Sequence, residues 1–306
     1  QCFDNVLNID GIDLENGFKK IIYQLRSLSF DIVIYPSIGM HPYANLLANN
    51  RIAPIQINTW GHSITSGIDT IDYYISSKLY ETENGSNNYS EKLIKLNSLC
   101  TYYVDEIKEF NIELISKDDL NLPSDRKIIF LMFTNTKFNL EYLNALEKIN
   151  QKLDNILFLM LDKFNEKQKI IINNKLKNNV KYIKFCSHYI YCSYMNSSDI
   201  ILDTYPFGGC NSSLEAFSLG KIVITLPSKY LPGRFTYGFY KKMNIMEPVV
   251  NNFNEYVNKT VEYLLDDNLK RKIELKIKLK KDLLFNDKES LNEWQNLLIN
   301  LYNDKK

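Results

Sequence analysis

Residues 199–220 read DIILDTYPFGGCNSSLEAFSLG, and this stretch decides the fold. The run 199–203, DIILD, is short, apolar and rich in isoleucine, the pattern of a buried parallel strand. Gly208 and Gly209 follow and let the backbone come close to a ligand. A helix is predicted from about Asn211, with Gly220 placed to end it, and LGKIVITLPS supplies the next strand, which completes a βαβ unit. A helix start at the C-terminal edge of a parallel sheet offers free N–H groups and a positive dipole end, and a phosphate is the guest that suits them.

Two readings of this loop stay open on the local pattern alone. In one, the glycines serve only the turn, and Ser212 with Glu215 three residues later forms a capping box. In the other, the helix start holds a diphosphate, and Glu215, one turn in, accepts hydrogen bonds from ribose hydroxyls.

Outward from this unit, short apolar runs alternate with segments of helical period, which indicates an α/β chain with parallel sheets. Strands are predicted at 31–35, 54–58, 72–76, 127–133, 155–161, 180–185, 199–203 and 222–226. Helices are predicted at 13–28, 41–50, 139–152, 165–176, 189–197, 212–219 and 235–243, then as one or two over 254–283, and at 287–304. The tract 81–92, ETENGSNNYSEK, reads as a polar loop. A polar, proline-bearing stretch at 113–126, ELISKDDLNLPSDR, marks the division into domains 1–118 and 119–306.

A chain of 306 residues, 45% hydrophobic and 24% charged, is long enough for two cores and ordinary in composition. The net charge of +1 favours no nucleic-acid partner, and the lysine-rich segments 167–177 and 270–281 read as solvated helix faces. Five cysteines without a CxxC pair argue against a disulfide framework or a zinc site and fit a reducing compartment. With no apolar run of about 18 residues and no signal-peptide pattern, the expectation is a soluble, cytoplasmic protein.

The stretch DTYPFGGCNSSLEAFSLGKIVITLPSKYLPGRFTYGFYKKM (203–243), taken with IGMHPYANLLANNRIAPIQINTWGHSITSGIDTIDYYISS (38–77), resembles the catalytic region of the O-linked N-acetylglucosamine transferase family. It is closer to the bacterial, tetratricopeptide-linked members than to the animal enzyme, and PFGGCN is also similar to the adhesin N-glucosyltransferases. The resemblance runs from about residue 28 to the C-terminus, with gaps near 105–125 and 162–180. It implies a GT-B fold of two facing Rossmann-like domains, the C-terminal one holding a UDP-sugar, and no divalent metal or other cofactor. The chain has no D-x-D motif, in agreement. Entry near the family's middle implies an incomplete N-terminal, acceptor-side domain, and no tetratricopeptide repeats are present.

Carried over residue by residue, the diphosphate-binding run falls on Gly209, Cys210, Asn211, Ser212 and Ser213, and the ribose carboxylate on Glu215; Gly208, just before the run, is a binding candidate with them. Cys210 stands where the animal enzymes carry a histidine, so the helix dipole has more to do. The basic residue facing the phosphates falls on Lys137, with Asn135 beside it; Tyr191 falls near the base, and Arg234 near the sugar or phosphate. Each has a plain alternative: an exposed lysine at a strand end, a core tyrosine, a surface ion pair.

Only His41, His62 and His188 are available as imidazole bases. His62 follows the PIQIN strand and His41 follows DIVIY, so both loops belong at strand C-terminal ends, and both are catalytic candidates together with Lys137. His188 is read as a structural histidine. The function expected is metal-independent, inverting transfer of N-acetylglucosamine or another hexose from a UDP-sugar to a protein or glycan acceptor. The alternative is a nucleotide-sugar-binding module without transfer activity.

Overall fold

The computed structural model describes residues 5–6 and 17–305. The first part of the helix read at 13–28, and Cys2, lie outside these residues. The chain forms two compact units, each continuous in space and interrupted in sequence: residues 1–76, 83–96 and 292–306 in one, 77–82 and 97–291 in the other. Residues 97–118 belong to the second unit, so the units and the division read at 118/119 part the chain differently.

The first unit contains α1 (Phe18–Ser27), β1 (Ile32–Tyr35), α2 (Pro42–Ala48), β2 (Ile55–Thr59), β3 (Tyr73–Ser77) and β4 (Lys92–Leu96). Its sheet runs β1-β2-β3-β4. β1 and β2 are parallel, with Ile32 opposite Ile55 and Tyr35 opposite Asn58, and β2 and β3 are parallel with Ile57 opposite Tyr73. β2 is buried along its whole length, which explains why IQINT shows no alternation. Tyr35, Ile38, Ala48 and Ile71 form a small core under α2. β4 corrects the sequence reading, which ended in a polar loop at 92 and placed no strand there. Its residues, KLIKL, are mostly half-exposed, so they carry no continuous apolar run.

The second unit begins with the short helix α3 (Glu106–Glu109) and continues through β5 (Lys127–Leu131), α4 (Leu140–Lys152), β6 (Ile156–Leu161), α5 (Glu166–Lys175), β7 (Val180–Ile183), α6 (His188–Asn196), β8 (Ile200–Leu202), α7 (Asn211–Ser218), β9 (Val223–Ile224) and α8 (Phe235–Met243). α9 (Phe253–Leu265) and α10 (Asp267–Lys280) follow; α11 (Lys288–Lys305) ends the chain, and from residue 292 on it belongs to the first unit. Strand order is β7-β6-β5-β8-β9, and every adjacent pair is parallel. The chain moves outward from β5 to β7, then crosses back to place β8 on the other side of β5. The loops leaving β5 and β8 therefore diverge, and the crevice between them is the switch point where open α/β sheets bind ligands.

Local sequence explains most of these boundaries. Asn139 accepts from the Tyr142 N–H and opens α4, and Asn165 with Gln168 makes a reciprocal capping box at α5. Asn252 caps α9 through the Glu255 N–H, and Asp266 caps α10. Gly220 adopts φ +71 directly after α7, as its position in the sequence suggests, and the Lys221 N–H closes on the Ala216 carbonyl. Ile128, Ile129 and Phe130 of β5 and Ile200, Ile201 and Leu202 of β8 are fully buried. Each side chain of this size contributes roughly 1.5–3 kcal/mol by leaving water.

Candidate functional site

Asp203, the residue after β8, is 2% exposed and organises the loop that follows. Its Oδ1 accepts the N–H groups of Thr204 (2.9 Å) and Gly209 (2.6 Å), and its Oδ2 accepts the Thr225 hydroxyl (2.9 Å). The loop is thus folded back on the strand end, with the Gly208 N–H donating to the Pro232 carbonyl at 2.9 Å. Burial lifts the Asp203 carboxyl above its ordinary range, and its hydrogen bonds and the nearby Lys137 charge only partly offset that.

From the other side of the switch point, Lys137 leaves the single turn Asn135–Lys137 after β5 and donates to the Gly208 carbonyl at 2.7 Å. Its ammonium also lies 5.1 Å from the centre of the Phe207 ring. Burial pulls the Lys137 pKa down, and the nearby Asp203 carboxyl pulls it partly back. A lysine and a glycine 71 positions apart are thus held against each other at this edge of the sheet.

α7 starts at Asn211 with Cys210 at its N-cap, and no side chain caps it. The Ser212–Glu215 capping box does not form. Glu215 turns instead to His188, the first residue of α6: Nε2 lies 2.8 Å from Glu215 Oε1, and Nδ1 is 4.0 Å from Glu106 Oε2. Burial pushes the Cys210 thiol up to about 12, so it remains a thiol and adds no charge to the helix start.

A cavity of about 440 Å³ opens at this edge of the sheet. Four of the residues the sequence reading singled out, Lys137, Tyr191, Ser212 and Glu215, line it, and so do His188, Lys163 and Phe185. Tyr191 stands edge-on to Phe130 at 5.3 Å, and Ser212 is hydrogen-bonded to its phenol, which burial pushes well above its ordinary pKa. A smaller cavity of about 260 Å³, lined by Tyr103, Asp105, Glu106 and Asn211, shares the His188–Glu215 pair as a wall.

Other candidates sit elsewhere. Ser213 is fully buried, and its hydroxyl pairs with that of Thr236 at 2.7 Å, so only its backbone belongs to the helix start. Arg234 is bound to the carbonyls of Tyr80 and Ser228 (3.0 Å for the latter) and lies over the Tyr237 ring; it braces backbone and is not on the cavity wall. Asn135 is exposed at the start of its turn, also off the wall. His188, set aside in the sequence reading as structural, is a wall residue. Its place just beyond β7, on the same sheet edge as the start of α7, was the signal available.

His41 and His62 belong to the first unit. His41 is the extended N-cap of α2 and stacks on Tyr43 at 5.5 Å. His62 lies in the loop after β2, and its carbonyl accepts the Tyr74 hydroxyl at 3.1 Å. Gly39 (φ +87) leaves the space that the His62 ring fills, since a Cβ there would lie 2.1 Å from it, and a Cβ on Gly61 would lie 1.8 Å from the Pro36 carbonyl oxygen. The loops after β1 and β2 are therefore locked together by two glycines. Gly61→Ala is expected to lower the unfolding free energy by about 2–3 kcal/mol, measured by urea denaturation; a loss below about 0.5 kcal/mol would show that the loops are not in register.

No protein-family model matches the chain. It is 23% identical over 292 residues to the UDP-glucose:protein N-beta-glucosyltransferase of Actinobacillus pleuropneumoniae serotype 5b (strain L20), a match covering 90% of this chain and 44% of that protein. It is 22% identical over 278 residues to the probable UDP-N-acetylglucosamine–peptide N-acetylglucosaminyltransferase SPINDLY of Solanum lycopersicum, covering 81% of this chain and 27% of that one. The chain thus spans less than half the length of these curated relatives. Among solved structures, an O-GlcNAc transferase of Thermobaculum terrenum superposes with a TM-score of 0.79 at 16% identity, over 94% of this chain and 56% of that one. The pneumococcal O-GlcNAc transferase GtfA, solved with UDP and GlcNAc, gives 0.54 at 12% identity over 92% of this chain and 59% of its own. In sequence the chain resembles the O-GlcNAc transferase-like glycosyltransferases, and its fold is that of the GT-B class.

Proposed function

We propose that this chain is the catalytic part of a glycosyltransferase that moves a hexose or N-acetylhexosamine from a UDP-sugar to a protein acceptor, with inversion and without a divalent metal. One observation carries the reading: Lys137, the start of α7 and Glu215 meet around a single cavity at the switch point of a parallel sheet. These three groups match two parts of a nucleoside diphosphate, the diphosphate and the ribose. The uncapped N–H groups at Asn211 and Ser212 and the Lys137 ammonium suit the diphosphate, and Glu215 suits the ribose hydroxyls.

In this reading an acceptor nucleophile attacks the anomeric carbon, the bond to the diphosphate breaks, and the negative charge that develops on UDP is met by the helix dipole and Lys137. Fixed dipoles and a desolvated ammonium then do the work that a metal ion does elsewhere. Relatives that act on proteins with UDP-glucose, or that carry UDP-N-acetylglucosamine in their names, support the donor class.

The test is a panel of UDP-sugars against the full chain. UDP at a hundredfold excess over Kd is expected to stabilise the fold by about 2.7 kcal/mol, seen as a rise in Tm, and sugar release or transfer is expected to persist in EDTA. No stabilisation by any uridine nucleotide would sink the assignment of the cavity, and loss of turnover in EDTA would sink the metal-free step. Binding with neither hydrolysis nor transfer would favour a nucleotide-sugar-binding module.

A further inference from the structure

The smaller cavity, about 260 Å³, enters the nucleotide reading only through the His188–Glu215 pair that it shares with the larger one. Val104, Ile107, Leu214 and Phe285 give it apolar walls, while Asp105, Glu106 and Glu215 make it negative. Among the described residues no lysine or arginine is on its wall. Asp105 is 5% exposed, and its Oδ1 accepts the Ser218 hydroxyl and the Lys108 N–H. Its Oδ2 has no hydrogen-bond partner, because the Lys281 ammonium, which donates to the Ser218 carbonyl, stands 3.6 Å away. The Glu106 carboxylate has His188 Nδ1 at 4.0 Å, beyond hydrogen-bond reach. Burial first, and the nearby Glu215 and Glu106 carboxylates after it, push the Tyr103 phenol above its ordinary pKa, so it adds a neutral hydroxyl to the same wall. The cavity therefore joins apolar surface to negative charge that no cation on its wall balances.

We infer that this cavity is a second ligand site, which takes a guanidinium group on a short apolar stem, as at the end of an arginine side chain. Its volume falls just below the range of roughly 300–1,000 Å³ typical of small-molecule sites, which suits a single side chain. The apolar walls accept the stem. A guanidinium is planar, weakly hydrated and presents a fork of donors, and it packs on aromatic surface of the kind that Tyr103 and Phe285 supply. An ammonium, a strongly hydrated point charge, gains less from such walls. Glu106 and the Asn211 side-chain amide are the hydrogen-bonding groups offered to it, and Glu215 adds charge. The site does not depend on the nucleotide reading. On that reading the two ligands lie on either side of the His188–Glu215 pair, and the guanidinium comes from an arginine of the protein acceptor or from a free guanidino compound.

The experiment titrates the full chain by calorimetry with N-acetyl-arginine amide and with N-acetyl-citrulline amide, its neutral isostere, first without UDP and then at saturating UDP. Saturable binding of the arginine compound is expected, with the citrulline compound roughly 10-fold weaker or more. Glu106→Gln is nearly isosteric at an exposed position and should melt as the parent does; it is expected to weaken the arginine compound by roughly 2- to 5-fold. Ile107→Trp fills the cavity and should abolish binding, and if it lowers Tm, Glu106→Gln still decides. Equal binding of the two compounds overturns the inference, and so does no binding of either. Displacement of the arginine compound by UDP places it in the larger cavity and also overturns it. Ethylguanidinium separates the sources: affinity equal to that of the arginine compound points to a free guanidino ligand, a tenfold loss points to a polypeptide, and either supports the site. Binding of the arginine compound to a chain that does not bind UDP leaves this site in place and removes the nucleotide reading alone.

Discussion

Lys137→Ala is expected to weaken UDP by roughly 10- to 100-fold and to slow transfer by about 100-fold or more. The first figure follows from losing a charge-assisted contact in a partly desolvated site. The second follows from the larger charge that the diphosphate carries as the sugar leaves. The substitution also releases the Gly208 carbonyl that the ammonium holds at 2.7 Å, so the loop loses its anchor. Uridine, which has no phosphate, should bind parent and variant alike; calorimetry of uridine and UDP on both proteins checks this, and equal losses for the two would assign Lys137 a structural role only. The same residue gives a pH dependence with two opposite signs. Burial holds its pKa below the ordinary lysine value, so the ammonium is lost earlier on the alkaline side and UDP affinity falls there. Stability moves the other way. The folded state binds fewer protons than the unfolded one between the lowered pKa and the ordinary lysine range near 10.4, so the cost of burying the charge is relieved as pH rises through that window.

Asp203→Ala should be the most destabilising single change at the site, costing about 3–5 kcal/mol. It leaves the N–H groups of Thr204 and Gly209 and the hydroxyl of Thr225 without their acceptor, all in a buried loop. Asp203→Asn should cost much less, about 1–2 kcal/mol. Burial raises the Asp203 pKa, so the ionised form is less favoured here than in water, and the neutral amide keeps an acceptor oxygen for the two N–H groups. Urea denaturation of the three proteins gives the order parent, Asn, Ala. The idea fails if Ala and Asn cost the same, because that would place the stabilisation in the charge and not in the accepted hydrogen bonds. UDP binding should follow the same order, since the loop that Asp203 folds carries the Gly208 carbonyl and the start of α7.

How much of this was legible in the sequence depends on whether a feature is local. The buried strands β2, β5, β6 and β8 announce themselves as apolar runs, and the caps Asn139, Asn165 and Gly220 lie next to the helices they bound. β4 escaped because half-exposed KLIKL carries a lysine at every third position and follows a polar tract. At the site, the loop, Lys137, Tyr191, Ser212 and Glu215 could be reached by pattern and resemblance. The pairing of Glu215 with His188 could not, because it joins two helices 27 residues apart and displaces a capping box that the local spacing favours. Arg234 failed as a site candidate for a related reason. Its guanidinium is satisfied by main-chain carbonyls, one of them 154 positions away, and nothing in the sequence codes for a carbonyl. Asp203 marked a strand end in the sequence, but its contact with the Thr225 hydroxyl is visible only once β9 lies beside β8.

The contact between His188 and Glu215 ties the first turn of α6 to α7 across 27 positions, with an imidazole nitrogen 2.8 Å from one carboxylate oxygen. An ionised carboxylate accepts at two oxygens. On the proposed reading, His188 and the ribose hydroxyls therefore share Glu215 and need not contend for it, and the imidazole acts as a rotamer lock that sets the direction in which the second oxygen is offered.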